Sequence, residues 1–326
     1  MLAFLIRRIA EAFVVMVVVA FVAFSMFRFM GDPVANMMGP DATIADREAM
    51  TQRLGLDRPF PVQFAQFVSN VAQGDFGVSF RVGRPVVDLL KERLPATLEL
   101  ALVSGLFALF AGIGFGVYTA LRRDGVLSRL IMAVSLVGVS LPTFLIGIAL
   151  IYLFAVELRL LPSFGRGDVV RIGGWTTGFL THSGLTSLIL PSITLGLFQM
   201  TLIMRLVRAE MLEVLRTDYI RFARARGLSN RAIHFGHALK NTLVPVITVT
   251  GLQLGSIVAF AIITETVFQW PGVGSLFISS VQAVDVPVMA TYLLFVAAFF
   301  VFVNFVVDML YFAVDPRLRV ERAGGH

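Results

Sequence analysis

Six stretches dominate the sequence, near residues 9–29, 97–120, 130–156, 187–207, 243–267 and 288–312, each long, apolar and interrupted by at most two charges. A helix covers the ~30 Å of a bilayer's hydrocarbon with roughly 20 residues. Inside hydrocarbon every backbone polar group must be paired internally, which only a helix or a closed barrel achieves. These runs are too long and too continuously apolar for barrel strands, so the expectation is an all-α membrane protein with six transmembrane helices. Composition agrees: 57% of the 326 residues are hydrophobic and 15% are charged, against about 25% charged in soluble domains. One globular core cannot absorb such an excess, because surface falls too slowly with size.

Arg7 and Arg8 precede the first stretch as they would in a signal peptide, but the apolar run is longer than an ordinary h-region and no A-x-A site follows. It reads as an uncleaved helix. Orientation follows from Lys and Arg. With the N-terminus inside, 16 of the 27 basic residues lie on the inner side, and seven of the remaining 11 fall in one long outer loop, where charge has little influence on topology. Both termini are therefore expected in the cytoplasm.

Several chemistries are unpromising. There is no cysteine, hence no disulfide, thiolate site or cysteine nucleophile. His182, His234, His237 and His326 are scattered, and no metal centre is expected. Neither lysine, Lys91 or Lys240, stands in a G-x-x-x-x-G-K-[ST] loop, so a nucleotide-driven process would need another chain to bind ATP and Mg. An intramembrane hydrolase would need a Ser/His pair, an aspartate dyad or a metal set at membrane depth, and none is evident. Nothing suggests a nucleic-acid partner.

Two polar segments stand out. The outer loop, 30–95, holds seven basic and eight acidic residues and is long for a connection. Thr43 and Asp46 would cap a short helix ending at Gly55. Phe64, Phe67, Val68 and Val71 share a helical face, as do Val87, Leu90 and Leu94 before Pro95 ends that helix. The expectation is a small structured cap lying on the outer membrane face; the alternative is a lid packed only against its own helices. The inner loop, 208–242, differs in kind. From Arg205 to Lys240 there are eight basic and three acidic residues. Gly227 suits a helix C′ position, and Ser229 or Asn230 would cap the next helix. Two short helices meeting at a glycine corner fit a socket on a partner protein better than a merely lipid-attracted loop, whose charge alone would explain nothing about the turn.

The inner loop's residues, Asp218-Tyr219-x-x-x-Ala223-Arg224-Ala225-Arg226-Gly227-Leu228-Ser229 with His237-Ala238-Leu239-x-Asn241 and Val244-Pro245, resemble those of ATP-binding-cassette importer permeases, within them the dipeptide/oligopeptide/nickel branch. Further matches fall in that branch's order: Gly31-Asp32-Pro33, Leu54-Gly55-Leu56-Asp57, Gly74-Asp75-Phe76-Gly77-x-Ser79, Leu94-Pro95-Ala96-Thr97-Leu98-Glu99-Leu100, Glu265-x-Val267-Phe268-x-x-Pro271-Gly272-x-Gly274, Asp285-x-Pro287, and Asp308 with Tyr311 ahead of Asp315-Pro316-Arg317. The general importer loop reads E-A-A-x-x-x-G. Here Arg221-Phe222-Ala223 occupy the first three positions and the glutamate is absent, as is usual in the peptide branch.

The resemblance implies a type I importer permease, the first (B-type) of two such subunits, forming one transmembrane domain over 1–326 in a bacterial plasma membrane. It implies a second homologous permease, two ATPases that bind the ATP and Mg, and an extracytoplasmic solute-binding protein, with no cofactor or catalysis in this chain. Asp218, Tyr219, Ala223, Arg224, Ala225, Arg226, Gly227 and Leu228 would couple the loop to an ATPase, Ala223 and Ala225 allowing close approach. The competing reading is a stand-alone secondary transporter or channel, favoured by paired intramembrane charges or inverted repeats; neither is seen in the sequence.

Polar residues within spans either line a path or join helices. Thr250, Gln253, Ser256 and Thr264 share one arc of the fifth span, and the fourth adds Gln199 and Thr201. Gln199, Thr250, Gln253, Ser256 and Glu265 are the path candidates. Glu265, with no cation near it in sequence, is either an anchor or a functional group. Pro142 should kink the third helix, and Gly112, Gly114 and Gly116 should give the second a smooth packing face.

Overall fold

The structure is a computed structural model that describes residues 2–29, 34, 38, 43–53, 55 and 57–314. The motif residues Gly31-Asp32-Pro33, Leu54, Leu56 and 315–317 lie outside the described residues, as do the side chains of Thr250, Gln253, Asp308 and Tyr311.

Helices dominate, and five of the six apolar stretches each fall in one helix; the third, 130–156, is broken at Leu141-Pro142 and continues past Thr143–Leu150 as a wider helical turn, Ile151–Glu157. The helices are α1 (Leu2–Phe29), α2 (Ile44–Arg53), α3 (Phe60–Ala72), α4 (Val86–Leu121), α5 (Val126–Ser140), α6 (Thr143–Leu150), α7 (His182–Val214), α8 (Asp218–Ala225), α9 (Leu239–Val267), α10 (Val273–Gln282) and α11 (Val286–Val314). Among the described residues four helices are long and apolar enough to cross a membrane, or five if α5 and the segment after it make one broken span. That break corrects the expectation of a kink. Pro142 sits in extended backbone as the residue before α6, and the two halves meet at 116°. A proline inside a helix loses one hydrogen bond and clashes with the preceding turn; here the chain leaves the helix instead.

Pro95 errs the other way. Expected to end a helix, it lies inside the 36-residue α4. The tight packing of α4 against its neighbours carries the helix through the single lost bond. α4 and α7 form the central pair, with α9 against both and α11 against α9 and α1. The reason is the loss of side-chain bulk at the crossing. A Cβ on Gly112 would lie 2.8 Å from Ile203 Cγ2, one on Gly116 2.7 Å from Val207 Cβ, and one on Gly196 2.7 Å from the Ser104 carbonyl. Gly114 meets nothing within 4 Å, so the packing face holds Gly112 and Gly116, spaced by four, and excludes the residue between them.

The outer loop is structured. Thr43 Oγ1 accepts from the Asp46 amide at 3.2 Å, and α2 ends short of Gly55, whose φ is +67°. On α3 the expected face, including Phe64 and Phe67, is half-buried. Phe60, Phe64 and Phe67 surround Phe24 of α1 in edge-on and tilted contacts, each ring centroid 5.2–5.6 Å from that of Phe24. The second outer connection contains an unexpected hairpin, β1 (Val170–Ile172) antiparallel to β2 (Trp175–Thr177), with Ile172 opposite Trp175 across a Gly173-Gly174 turn.

Candidate functional site

The inner corner is built as its sequence suggests. Thr217 precedes α8 in extended backbone and Asp218 lies in the first turn, where a carboxylate opposes the helix dipole; Asp218 also pairs with Arg221 at 3.2 Å. At the far end the Leu228 amide donates to the Ala223 carbonyl at 3.3 Å and the Gly227 amide to Arg224 at 2.9 Å. With φ of +79° at Gly227, this is a Schellman closure, for which glycine is the favoured C′ residue. Ser229 then accepts from the Ala232 amide at 3.3 Å and starts a wide helical turn, Ala232–Ala238, that leads into α9. Asn241 Nδ2 donates to Tyr219 Oη at 2.7 Å, tying the two arms together.

The corner has two faces. Ile220, Ala223, Ile233 and Ala238 are buried in one apolar cluster with Met211, Val207, Val117 and Ala120 of α7 and α4. The Ala223 methyl faces this core, three residues on from Ile220 and on the same side of α8. Ala225 and Gly227, with Arg224 and Arg226, are exposed. So are Phe222 at 65%, Phe235 at 53%, Tyr219 at 43% and Leu228 at 40%. The sequence does not single out Phe222 and Phe235, because helical segments of eight and seven residues are too short for periodicity to separate an outward phenylalanine from a core one. Arg226 lies over the Phe222 ring, 5.9 Å from its centroid. His234 is held below the ordinary histidine range, by burial first and then by the Arg224 guanidinium. The corner thus presents an apolar surface rimmed by arginines, the kind of patch on which proteins dock, and guanidinium forks suit carboxylates.

The remaining motifs converge near the opposite ends of the helices. Glu265 is 0% exposed. Its Oε1 accepts from Thr97 Oγ1 at 2.5 Å and its Oε2 from the Ser275 amide at 2.8 Å, while Thr97 Oγ1 accepts from the Val273 amide at 2.8 Å. One carboxylate thus pins the start of α10 to α4. A Cβ on Gly272 or Gly274 would run into that carboxylate, which accounts for both glycines. Trp270 is buried beside it and its indole donates to the Ala96 carbonyl at 2.9 Å. Asp285 accepts from Ser79 Oγ and from the Phe80 amide, the latter at 3.1 Å. Glu99 and Arg166 form an ion pair of 2.6 Å with side chains 2% and 7% exposed, and Arg166 also donates to the Thr176 carbonyl of β2 at 2.7 Å. The partners are 67 residues apart and invisible to local reading. The pair joins the outer end of α4 to a loop.

Of the other path candidates, Gln199 is buried and donates to Ser256 at 3.0 Å, joining α7 to α9. Thr201 is buried and hydrogen-bonded to the Leu197 carbonyl at 3.0 Å. The side chains of Thr250 and Gln253 lie outside the described residues.

Comparison with known proteins agrees with this layout. Residues 112–320 match the family described as binding-protein-dependent transport system inner membrane component, and residues 1–101 match its N-terminal companion. The chain is 41% identical to the di/tripeptide transport system permease protein DppB of Pseudomonas aeruginosa (strain UCBPP-PA14), over 99% of this chain and 100% of that protein. It is 41% identical to the probable D,D-dipeptide transport system permease protein DdpB of Escherichia coli (strain K12), over 90% of each. It is 36% identical to the glutathione transport system permease protein GsiC of Escherichia coli O1:K1 / APEC, over 98% of this chain and 100% of that protein. An inward-facing structure of the MetNI methionine ABC transporter superposes with a TM-score of 0.55 at 21% identity, covering 70% of this chain and 96% of that one, a likeness of fold.

Proposed function

The chain belongs to the binding-protein-dependent transport system inner membrane component family, and from that premise we propose that it is the permease subunit of an ATP-driven importer for peptides or similar small solutes. It forms half of a translocation path with a second homologous permease, and both of its termini lie in the cytoplasm. A solute-binding protein delivers cargo from outside. Two ATPases supply ATP binding and hydrolysis, so this chain carries no nucleotide, cofactor or catalytic site. The peptide assignment rests on the names of the relatives.

The two-faced inner corner carries the coupling assignment. Ile220 and Ala223 lock α8 into the bases of α4 and α7, so a push on the corner is delivered to those helices. Tyr219, Phe222 and Leu228 offer apolar surface for an ATPase groove, and Arg224 and Arg226 offer paired donors at its rim. Asp218 orders the first turn, and Ala225 and Gly227 keep the corner low. The Glu99–Arg166 pair does not revive a stand-alone transporter, since it holds an outer loop to a helix end.

The test is Ala225→Trp in the assembled transporter. Ala225 is exposed, so insertion and yield should match the parent, while solute-stimulated ATP hydrolysis and uptake of labelled dipeptide both disappear. Unimpaired uptake would refute the coupling role.

A further inference from the structure

Where α4 and α7 end on the inner side, an open cleft of about 490 Å³ is lined by Arg122, Arg123, Asp124, Leu212, Leu215 and Arg216. Arg123 pairs with Asp124 at 3.3 Å. Arg122 lies over the Tyr118 ring at 5.9 Å, and among the described residues neither Arg122 nor Arg216 has a carboxylate within ion-pairing distance. Three guanidinium groups thus share one concavity with a single acid.

Its depth follows from helix arithmetic. Between Arg93 and Arg122 the only charge on α4 is Glu99, which is neutralised by Arg166. At about 1.5 Å per residue that interval spans roughly 44 Å, close to the full bilayer with its headgroup layers. Arg122 therefore falls at the level of the inner headgroups. Immediately beyond the cleft, α5 exposes an apolar face: Val126, Leu127, Leu130 and Val134 are all more than half exposed. A ligand seated in the cleft would meet cations at one end and an open hydrocarbon-facing surface at the other.

We propose that this cleft is a binding site for a phosphate group, and that its occupant is an anionic phospholipid of the inner leaflet, the phosphate held by Arg122 and Arg216 and an acyl chain lying along α5. Guanidinium forks match phosphate oxygens geometrically, and basic pockets beside membrane helices on the cytoplasmic side hold anionic headgroups. The site is distinct from the coupling corner, whose exposed face is built from α8 and the residues after it.

The test is native mass spectrometry of the full-length chain released from nanodiscs of phosphatidylglycerol and phosphatidylcholine, with titration of phosphatidylglycerol into the delipidated protein. The parent should retain phosphatidylglycerol selectively. Arg122→Gln/Arg216→Gln should weaken its apparent affinity about tenfold or more, and Arg122→Lys should fall between, keeping charge but losing the fork. Arg221→Gln removes one inner charge outside the cleft and should leave retention unchanged. An equal loss in Arg221→Gln would overturn the site in favour of diffuse attraction. Displacement of the lipid by millimolar inorganic phosphate, with no lipid selectivity remaining, would overturn the lipid as occupant.

Discussion

The outer ends of the helices and the inner corner use charge in opposite ways. Outside, Glu99, Glu265 and Asp285 are each buried and each accepts hydrogen bonds from partners far away in sequence. These three carboxylates are satisfied within the chain and hold loops to helices. Inside, the corner is held by backbone closure and by buried Ile220 and Ala223, and its arginines and aromatics point outward. Polar groups of the first kind are satisfied internally, whereas those of the second are held rigid and left exposed, which is the arrangement that the proposed coupling role requires.

That contrast can be broken most forcefully at the buried ion pair. Arg166→Ala strands the Glu99 carboxylate and should cost about 3–5 kcal/mol, read as a large fall in the thermal midpoint of the purified chain. Glu99→Leu/Arg166→Met should recover most of that loss, and failure to recover would mean the charges do more than fasten a loop. Glu265→Ala leaves Thr97 Oγ1 and the Ser275 amide without their acceptor and should cost about 2–4 kcal/mol. A Glu265 variant of parental stability but altered solute preference would move that residue from anchor to path.

Inside, the expected losses shift from stability to activity. Phe222→Ala should leave the thermal midpoint nearly unchanged and weaken ATPase binding about tenfold, measured by the recovery of the complex on dilution. Gly227→Ala should cost about 1 kcal/mol, since a Cβ meets no neighbour within 4 Å and only the positive φ is strained. The smallest effect is with pH. Burial and Arg224 hold His234 below its ordinary value of 6.5, so the unfolded chain binds its proton more readily than the folded one. The corner should therefore lose stability as pH falls below about 6.5, and His234→Gln should flatten that dependence in hydrogen exchange of residues 229–238.

Local chemistry was legible and distance was not. The helix ends at Thr43 and Gly227, the aromatic face of α3 and the six apolar stretches follow from short-range rules and were read directly. Pro95 and Pro142 show the limit: identical chemistry gives a continuous helix at one and a break at the other, because the surrounding packing decides. Glu99–Arg166 and Ser79–Asp285 depend on contacts across 67 and 206 residues, which spacing cannot reveal, although Gly272 and Gly274 beside Glu265 hinted that something close needed room. The Gly173-Gly174 hairpin carried a usable turn signal. The burial of Ala223 is not legible either, because its direction depends on which side of α8 the core lies.

The meshing of Gly112 and Gly116 with α7 has a mechanical corollary. Two helices whose backbones touch through absent side chains cannot slip lengthwise, because a shift of even one residue would drive a neighbour's Cβ into a carbonyl. Whatever torque reaches the lower ends of α4 and α7 must turn them as a single beam. The same close approach recurs on the broken third span, where a Cβ on Gly138 would lie 3.1 Å from Leu197 and Thr201, so part of that span is keyed to the same beam.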